Sequence, residues 1–221
     1  MTIQYYITRK QEIVIMLQIL AATSNKHKVE EFRTAFTPVQ EKIQIITLAD
    51  IPSFEMPEEN GTSFEENAMI KACAASAFAD MPAFADDSGL EVAALDGAPG
   101  IFSARYAGEQ ASDADRIAKL LRELEGKTNR RARFVCAAAL AYRGQEVKTF
   151  RGVVNGEIIL QPQGSHGFGY DPVFVPDGYD RSFGELGPEI KDKISHRAHA
   201  LEQLVAFIKA ELDSMDDFEF E

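Results

Sequence analysis

The feature that most constrains this chain is a pair of adjacent aspartates, Asp86 and Asp87, at the end of a short apolar run. Neighbouring carboxylates repel each other, so a fold that keeps them together is expected to hold a divalent cation. Oxygen ligands favour Mg²⁺, which usually arrives with substrate phosphates. The alternative is an acidic strand-to-turn corner at which Gly89 makes the bend, and for an isolated Asp-Asp pair it is the commoner structure.

Length and composition set the class of protein. The chain has 221 residues, 45% hydrophobic and 26% charged, which suits a globular protein and excludes disordered and fibrous classes. We expect one domain at 16–212, between an N-terminal extension at 1–15 and an acidic tail at 213–221. The net charge of −12 and the lack of a Lys/Arg run argue against a nucleic-acid partner. A small anionic substrate remains compatible if a few cations converge locally.

The start of the chain indicates neither a membrane span nor an exported protein. The apolar segment at 13–22 contains Gln18 and is too short to cross a bilayer, so it predicts a buried strand. No small-residue cleavage site convincingly follows residues 1–11. We therefore expect a cytoplasmic protein with no membrane partner.

Cysteine and histidine spacing offers no strong metal motif. Cys73 and Cys136 lack C-x-x-C or zinc spacing, which predicts buried reduced thiols in a reducing compartment. His196 and His199 are three apart on a predicted helix, a weak metal pair that is more often structural.

Hydrophobic periodicity predicts strands and helices in alternation, which permits an α/β fold. The predicted strands are at 13–22, 43–48, 131–142 and 146–154, and the last two form a hairpin. The predicted helices follow 23–28 and begin at Ser63, at Ser112 and near Ser195. Polar or glycine-rich loops are expected at 52–61 and 164–172.

Three motifs have the chemistry of a nucleotide site. The turn at 23–28 precedes a helix N-terminus, where hydroxyls, an amide, Lys28 and free N–H groups suit anionic oxygens. Asn67 and Lys71 share one helix face. In the loop at 168–171, an aromatic ring can stack on a base while Asp171 accepts from ring N–H groups. Each motif also has a structural explanation when it is considered alone. The turn at 23–28 can be an N-cap with exposed lysines, Lys71 can be a solvated helix residue, and the aromatic ring at 168–171 can serve packing.

Two other glycine-containing segments fail as nucleotide motifs. Gly126-Lys127-Thr128 follows a predicted helix rather than a strand and lacks the spacing of a P-loop. Gly164, Gly167 and Gly169 have the wrong spacing for a dinucleotide fingerprint.

Taken together, the motifs resemble one family closely, the inosine/xanthosine triphosphate pyrophosphatases, also called Ham1-like or non-canonical purine NTP pyrophosphatases. The matching segments occur in the family's order across residues 21–204. They are Thr23-Ser24-Asn25-Lys26-His27-Lys28, residues 65–72, 85–90, 97–106 and 167–172, and Ser195-His196-Arg197.

The resemblance implies a role for each matching residue. It makes Asp87 the proton acceptor and a Mg²⁺ ligand, with Asp86 beside it and Glu59, chosen over Glu58 by its offset from Gly61, as the second metal carboxylate. The substrate-binding residues that it implies on the triphosphate side are Thr23, Ser24, Asn25, Lys26, His27, Lys28, Asn67, Lys71 and Ser88. Those on the base and sugar side are Phe168, Gly169, Tyr170, Asp171, Lys191, His196 and Arg197.

The resemblance also implies the fold and the activity. It predicts an extended mixed sheet flanked by helices, with two lobes around a cleft, and a homodimer. It predicts Mg²⁺-dependent hydrolysis of dITP, ITP or XTP to the monophosphate and pyrophosphate. Two other readings remain: a nucleotide-binding module without catalysis, which has little need for the carboxylates, and a phosphatase, which releases orthophosphate.

Overall fold

Seven strands join into one mixed sheet in the computed structural model, which describes residues 3–7, 13–51 and 53–216. The strands are β1 Ile3–Ile7, β2 Ile13–Ala21, β3 Ile43–Thr47, β4 Ala83–Val92, β5 Arg131–Tyr142, β6 Gln145–Ile158 and β7 Phe174–Pro176. The strand order is β1-β2-β4-β5-β6-β7, and β3 also pairs with β2. Strand β2 is parallel to β3 and β4, whereas the other pairs are antiparallel. The predicted α/β fold with a mixed sheet is confirmed.

Six α-helices flank this sheet in the described ranges. They are α1 Lys26–Phe36, α2 Phe64–Ala79, α3 Asp113–Glu123, α4 Phe183–Leu186, α5 Pro188–Ile194 and α6 His196–Asp216. None of the helices described is long and apolar enough to cross a membrane.

Strand β4 contributes to both faces of the sheet because successive side chains of a strand point in opposite directions. Phe84 packs in the core cluster that contains the apolar residues of α1 and α6. Ala83 and Ala85 pack in a second cluster with Ala68 and Ala72 of α2. Even-numbered residues in this part of β4 therefore face α1 and α6, and odd-numbered residues face α2.

Small residues allow helix α6 to lie close to the sheet. A Cβ atom at Gly152 of β6 would lie 2.0 Å from the carbonyl oxygen of His196 and 2.6 Å from the backbone nitrogen of Ala200. Both atoms belong to the first turns of α6, so the missing side chain sets the height of this helix above β6.

Several expectations from the sequence need correction. Strand β4 continues through Gly89 to Val92, so the alternative of a strand-to-turn corner is wrong. Helices α4 and α5 and strand β1 were not predicted. Helix α6 continues to Asp216 and so includes the first four residues of the acidic segment that was expected to fray, and residues 217–221 lie outside the described chain. The division into 1–15, 16–212 and 213–221 stays a prediction.

We expect Gly152→Ala to destabilise the protein by roughly 1–3 kcal/mol, because the added methyl group meets backbone atoms that have little room to move. Urea unfolding followed by circular dichroism measures this. Asn155→Ala, at an exposed position of the same strand, is the matched control. An unchanged midpoint for Gly152→Ala would contradict the close packing of α6 on β6.

Candidate functional site

A cavity of about 480 Å³ opens between the N-terminal end of α1, the middle of β4 and the loop at 167–171. Sixteen of the residues proposed from the sequence line it. They are Thr23, Ser24, Asn25, His27, Lys28, Glu59, Lys71, Asp87, Ser88, Phe168, Gly169, Tyr170, Asp171, Lys191, His196 and Arg197. Segments far apart in sequence thus meet at one pocket.

Three of the proposed residues do not line the pocket. Lys26 is exposed on the first turn of α1. Asn67 and Asp86 are buried behind the wall, with 0% and 1% of their surface exposed. Asn67 and Asp86 can therefore affect a ligand only through the pocket residues that they contact.

Asp86 lies on the α1 and α6 side of β4, between two cations. Its Oδ1 is 2.9 Å from Nζ of Lys28, and its Oδ2 accepts a 2.9 Å hydrogen bond from Nε of Arg197. Burial alone would raise the pKa of the Asp86 carboxyl, but Lys28 and Arg197 outweigh burial and hold this pKa far below its ordinary value. Asp86 therefore stays ionised and fixes both cations.

Asp87 lies on the opposite face of β4, where it contacts α2. Its Oδ2 accepts from the Asn67 amide at 3.1 Å and its Oδ1 from the backbone N–H of Ser88 at 3.0 Å. Nζ of Lys71 is 3.7 Å from Asp87 Oδ1 and 2.6 Å from Glu59 Oε1. Burial, reinforced by the negative charge of Glu59, raises the pKa of Asp87 in spite of Lys71. The two adjacent aspartates thus differ in environment and in basicity.

Cationic and N–H groups converge at one end of the pocket. Asn25 caps α1, and its Oδ1 accepts from the backbone N–H of His27 at 2.9 Å. Lys28 reaches Asp86, and Lys71 reaches Asp87 from the other side of β4. Although burial favours the neutral amine of Lys71, the carboxylates around it, first Asp87, raise its pKa, so it is a cation at neutral pH. This end of the pocket is suited to an anion.

The other end is built around the ring of Phe168. The His27 ring stacks on it with centroids 5.3 Å apart, Nζ of Lys191 lies 4.3 Å from the ring centroid and Cζ of Arg197 lies 5.6 Å from it. Asp171 fixes this loop, because its Oδ2 accepts from the Phe168 N–H at 2.9 Å and from Lys191 at 2.7 Å. A flat aromatic ligand is the kind of molecule that such a ring and its cations bind.

His196 is buried and neutral in this pocket. Its ring stacks on Phe134 with centroids 4.7 Å apart. Burial, followed by the charges of Arg197 and Lys191, lowers its pKa well below the ordinary value. Within the described residues, Nδ1 of His196 has no hydrogen-bond partner. His199, three residues further along α6, places its Nδ1 3.1 Å from the carbonyl oxygen of Val153.

The sequence interpretation missed Glu31, which joins the two cations at the Phe168 ring. Glu31 of α1 contacts Nζ of Lys191 at 3.0 Å and also pairs with Nη1 of Arg197. Burial acts to raise the pKa of Glu31, but Arg197 and Lys191 lower it overall. Its position three residues after Lys28 places it on the same helix face, which is the signal that would have identified it.

A second missed group lines the pocket from α3 and from the segment before it. It consists of Ser103, Ala104, Asp113 and Arg116. Ser103 belongs to a segment that carries the family resemblance. Asp113 and Arg116 lie on α3, for which the sequence predicted a start at Ser112 and an apolar stripe but no residue of the site. Helical periodicity does not tell which polar residue of α3 faces a pocket.

The residues described contain no group of three or more His, Cys, Asp or Glu side chains that could hold a metal ion. Glu59 and Asp87 nevertheless share the Lys71 ammonium at 2.6 and 3.7 Å. These two carboxylates are the available hard ligands on the pocket wall near the cationic end.

Comparisons with known proteins give consistent matches over most of the chain. The model of the Ham1 family matches residues 19–207. The chain is similar to the dITP/XTP pyrophosphatase of Deinococcus deserti, with 47% identity over 86% of this chain and 88% of that protein. It is also similar to the dITP/XTP pyrophosphatase of Bacillus subtilis, with 44% identity over 90% of this chain and 100% of that protein. A HAM1 protein structure from Coxiella burnetii superposes with a TM-score of 0.82 at 42% identity, covering 88% of this chain and 100% of that one.

Substitutions of the two aspartates are expected to change the free energy of unfolding in opposite directions in metal-free buffer at pH 7. Asp86→Asn is expected to cost about 3 kcal/mol or more, because it removes the carboxylate that Lys28 and Arg197 share and leaves buried Arg197 with Glu31 alone among the described carboxylates. Asp87→Asn is expected to stabilise the fold, since it removes a buried charge whose raised pKa marks a penalty. Urea unfolding in the presence of a chelator measures both.

The pH dependence follows from the same pKa shifts. Stability supplied by the lowered pKa of Asp86 is present above the unfolded value of about 3.9 and is lost as the pH falls further. The difference between the wild type and Asp86→Asn should therefore shrink below about pH 4. The raised pKa of Asp87 acts in the opposite sense, since its penalty disappears as the pH falls. Equal effects of the two substitutions at pH 7 would refute the assignment.

Proposed function

Since the chain belongs to the Ham1 family, we propose that it hydrolyses non-canonical purine nucleoside triphosphates, namely dITP, ITP and XTP, to the monophosphate and pyrophosphate. One observation carries the proposal: Lys28, Lys71 and Asp87 share a pocket with the ring of Phe168. This pocket has a cationic end for phosphates, an aromatic end for a base and a basic carboxylate on its wall. The names of the relatives support the same class of substrate.

The cofactor that we propose is Mg²⁺, held by Glu59 and Asp87. The donor set fits, because these two carboxylates converge on one ammonium and therefore already create a site for positive charge. Mg²⁺ commonly takes one or two protein carboxylates and completes its shell with water and substrate phosphates, so a third protein ligand is not required. When bound, the ion would neutralise charge on the phosphate oxygens.

In the proposed reaction, water attacks the α-phosphorus, the bond from this phosphorus to the bridging oxygen breaks, and pyrophosphate leaves. Asp87 accepts the proton of the water, a task that its raised pKa favours. Asn67 and the Ser88 N–H orient this carboxylate. Lys28 and Lys71 offset the charge on the departing pyrophosphate, and the N-terminus of α1 contributes its N–H groups.

We assign Asp86 a positioning part in this scheme. Its carboxylate does not line the pocket, and it holds Lys28 on the phosphate side and Arg197 on the base side. Proton transfer is assigned to Asp87 alone.

Base selectivity in this proposal rests on the cations beside Phe168. A purine stacked on this ring lies near Lys191 and Arg197, both hydrogen-bond donors. A keto oxygen at position six of the base accepts from such donors, whereas the amino group of adenine is itself a donor and is left unpaired. The pocket therefore favours inosine and xanthosine nucleotides over adenosine nucleotides.

A non-catalytic nucleotide-binding module is the alternative from another class. Such a module gains nothing from a buried carboxylate of raised pKa next to the phosphate end, because that charge repels the ligand. Asp87 is thus the residue that separates a hydrolase from a binding protein. The homodimer and the cytoplasmic location stay predictions from the resemblance and the sequence.

A nucleotide panel with Mg²⁺ tests the activity. We expect release of pyrophosphate from dITP, ITP and XTP with little from ATP, and loss of most of this turnover in Asp87→Asn, whose fold is checked by circular dichroism. Asp177→Asn, which changes a surface carboxylate bound to Arg131, is the control. Orthophosphate as the product would indicate a phosphatase, and normal turnover of Asp87→Asn would remove Asp87 from the mechanism.

Phe168→Ala is expected to raise KM more than it lowers kcat, because stacking on the ring binds the ground state and the transition state alike. The loss should be about tenfold in KM, the size of one base–aromatic stack. Steady-state kinetics with dITP measures the two constants. A defect confined to kcat would contradict the stacking role.

A further inference from the structure

Arg116 of α3 links three parts of the chain beside the pocket. Nη1 of Arg116 donates to the carbonyl oxygens of Ala104 at 2.7 Å and Ala111 at 2.8 Å, and Nη2 pairs with Oδ1 of Asp113. The side chain of Arg116 is only 18% exposed. Its guanidinium group is therefore fixed by several partners and presents Asp113 in one orientation.

Asp113 in turn contacts the loop that carries Phe168. While Oδ1 of Asp113 faces Arg116, its Oδ2 accepts a 2.7 Å hydrogen bond from the backbone N–H of Gly169. This bond comes from outside the loop, in contrast to the bond between Phe168 and Asp171 inside it. A hydrogen bond to an ionised carboxylate is stronger than one between neutral groups.

The loop needs such an external contact because its backbone has little preference of its own. Gly167 and Gly169 both adopt left-handed conformations, with φ of 74° and 62°. Glycine loses more conformational freedom on ordering than any other residue. The outside contacts of the loop include the Gly169 bond and a 3.0 Å bond from the Tyr170 hydroxyl to the carbonyl oxygen of Ser103.

We propose that Asp113, oriented by Arg116, is a positioning residue for the base: it holds the Gly169 backbone so that the Phe168 ring is in place before a purine arrives. This inference rests on the proposed function, which supplies the identity of the ligand. It assigns the pair to the base end, because its contacts reach Gly169 and the 104–111 segment. Lys28 and Lys71 instead pair with Asp86 and Asp87 of β4 and with Glu59.

The proposal predicts a selective loss of base affinity. In Asp113→Ala, the dissociation constant of inosine monophosphate should rise about tenfold, the value of one charge-assisted hydrogen bond, while that of inorganic pyrophosphate changes by less than about twofold. Titration calorimetry with Mg²⁺ measures both ligands. Asp113→Asn keeps one acceptor oxygen and should lie between the wild type and Asp113→Ala.

Two further variants make the comparison sharper. Asp115→Ala is the matched control, since Asp115 is also a first-turn carboxylate of α3 but caps the helix through Ser112 and does not line the pocket. Arg116→Met should raise the dissociation constant of inosine monophosphate, as Asp113→Ala does. The variant that carries both substitutions should bind inosine monophosphate no more weakly than Asp113→Ala alone, because the two side chains act as one unit.

Hydrogen exchange tests the contact without any nucleotide. Mass spectrometry of the peptide that covers 167–171 should show faster exchange in Asp113→Ala than in the wild type or Asp115→Ala. If the wild type binds neither ligand, the proposed function fails while this measurement still decides the contact. The inference is overturned if Asp113→Ala leaves hydrogen exchange at 167–171 unchanged. It is also overturned if Asp113→Ala weakens the binding of inosine monophosphate and of pyrophosphate equally.

Discussion

The alternation of β4 is the constraint on which the site depends. Asp86 and Asp87 are neighbours in sequence, yet the pleat of the strand sends them to opposite faces of the sheet. Asp86 meets Lys28 and Arg197, and Asp87 meets Asn67 and Lys71. The repulsion that makes such a pair costly is reduced because each carboxylate has its own cation. A shift of β4 by one residue would exchange the two environments and destroy both.

A continuous series of opposite charges follows from this arrangement and spans the pocket. It runs in the order Asp171, Lys191, Glu31, Arg197, Asp86 and Lys28. Each member is stabilised by its neighbours, so removing one takes away part of the compensation of the buried charges beside it. The base end and the phosphate end are therefore connected through these carboxylates, and a substitution of a member of the series is expected to alter both ends.

Much of this was predictable from local sequence. The turn at 23–28, the capping residue Ser63 and the apolar spacing of α3 follow rules that act over a few residues, and the structure agrees with them. Long-range pairings were harder. The spacing from Lys28 places Glu31 on the pocket face of α1, but it does not indicate that Glu31 bridges Lys191 and Arg197, more than 150 residues away. Nothing in α3 marks Asp113 as a partner of Gly169. The short helices α4 and α5 lack the length over which periodicity becomes visible.

The place of Arg197 in the chain has a consequence for biosynthesis. Arg197 is the second residue of α6, the last helix described. It forms an ion pair with Asp86 of the central strand β4. A nascent polypeptide that has emerged only as far as β7 holds Asp86 with one of its two cations. The ligand pocket is therefore complete only once α6 has been synthesised and has packed on the sheet.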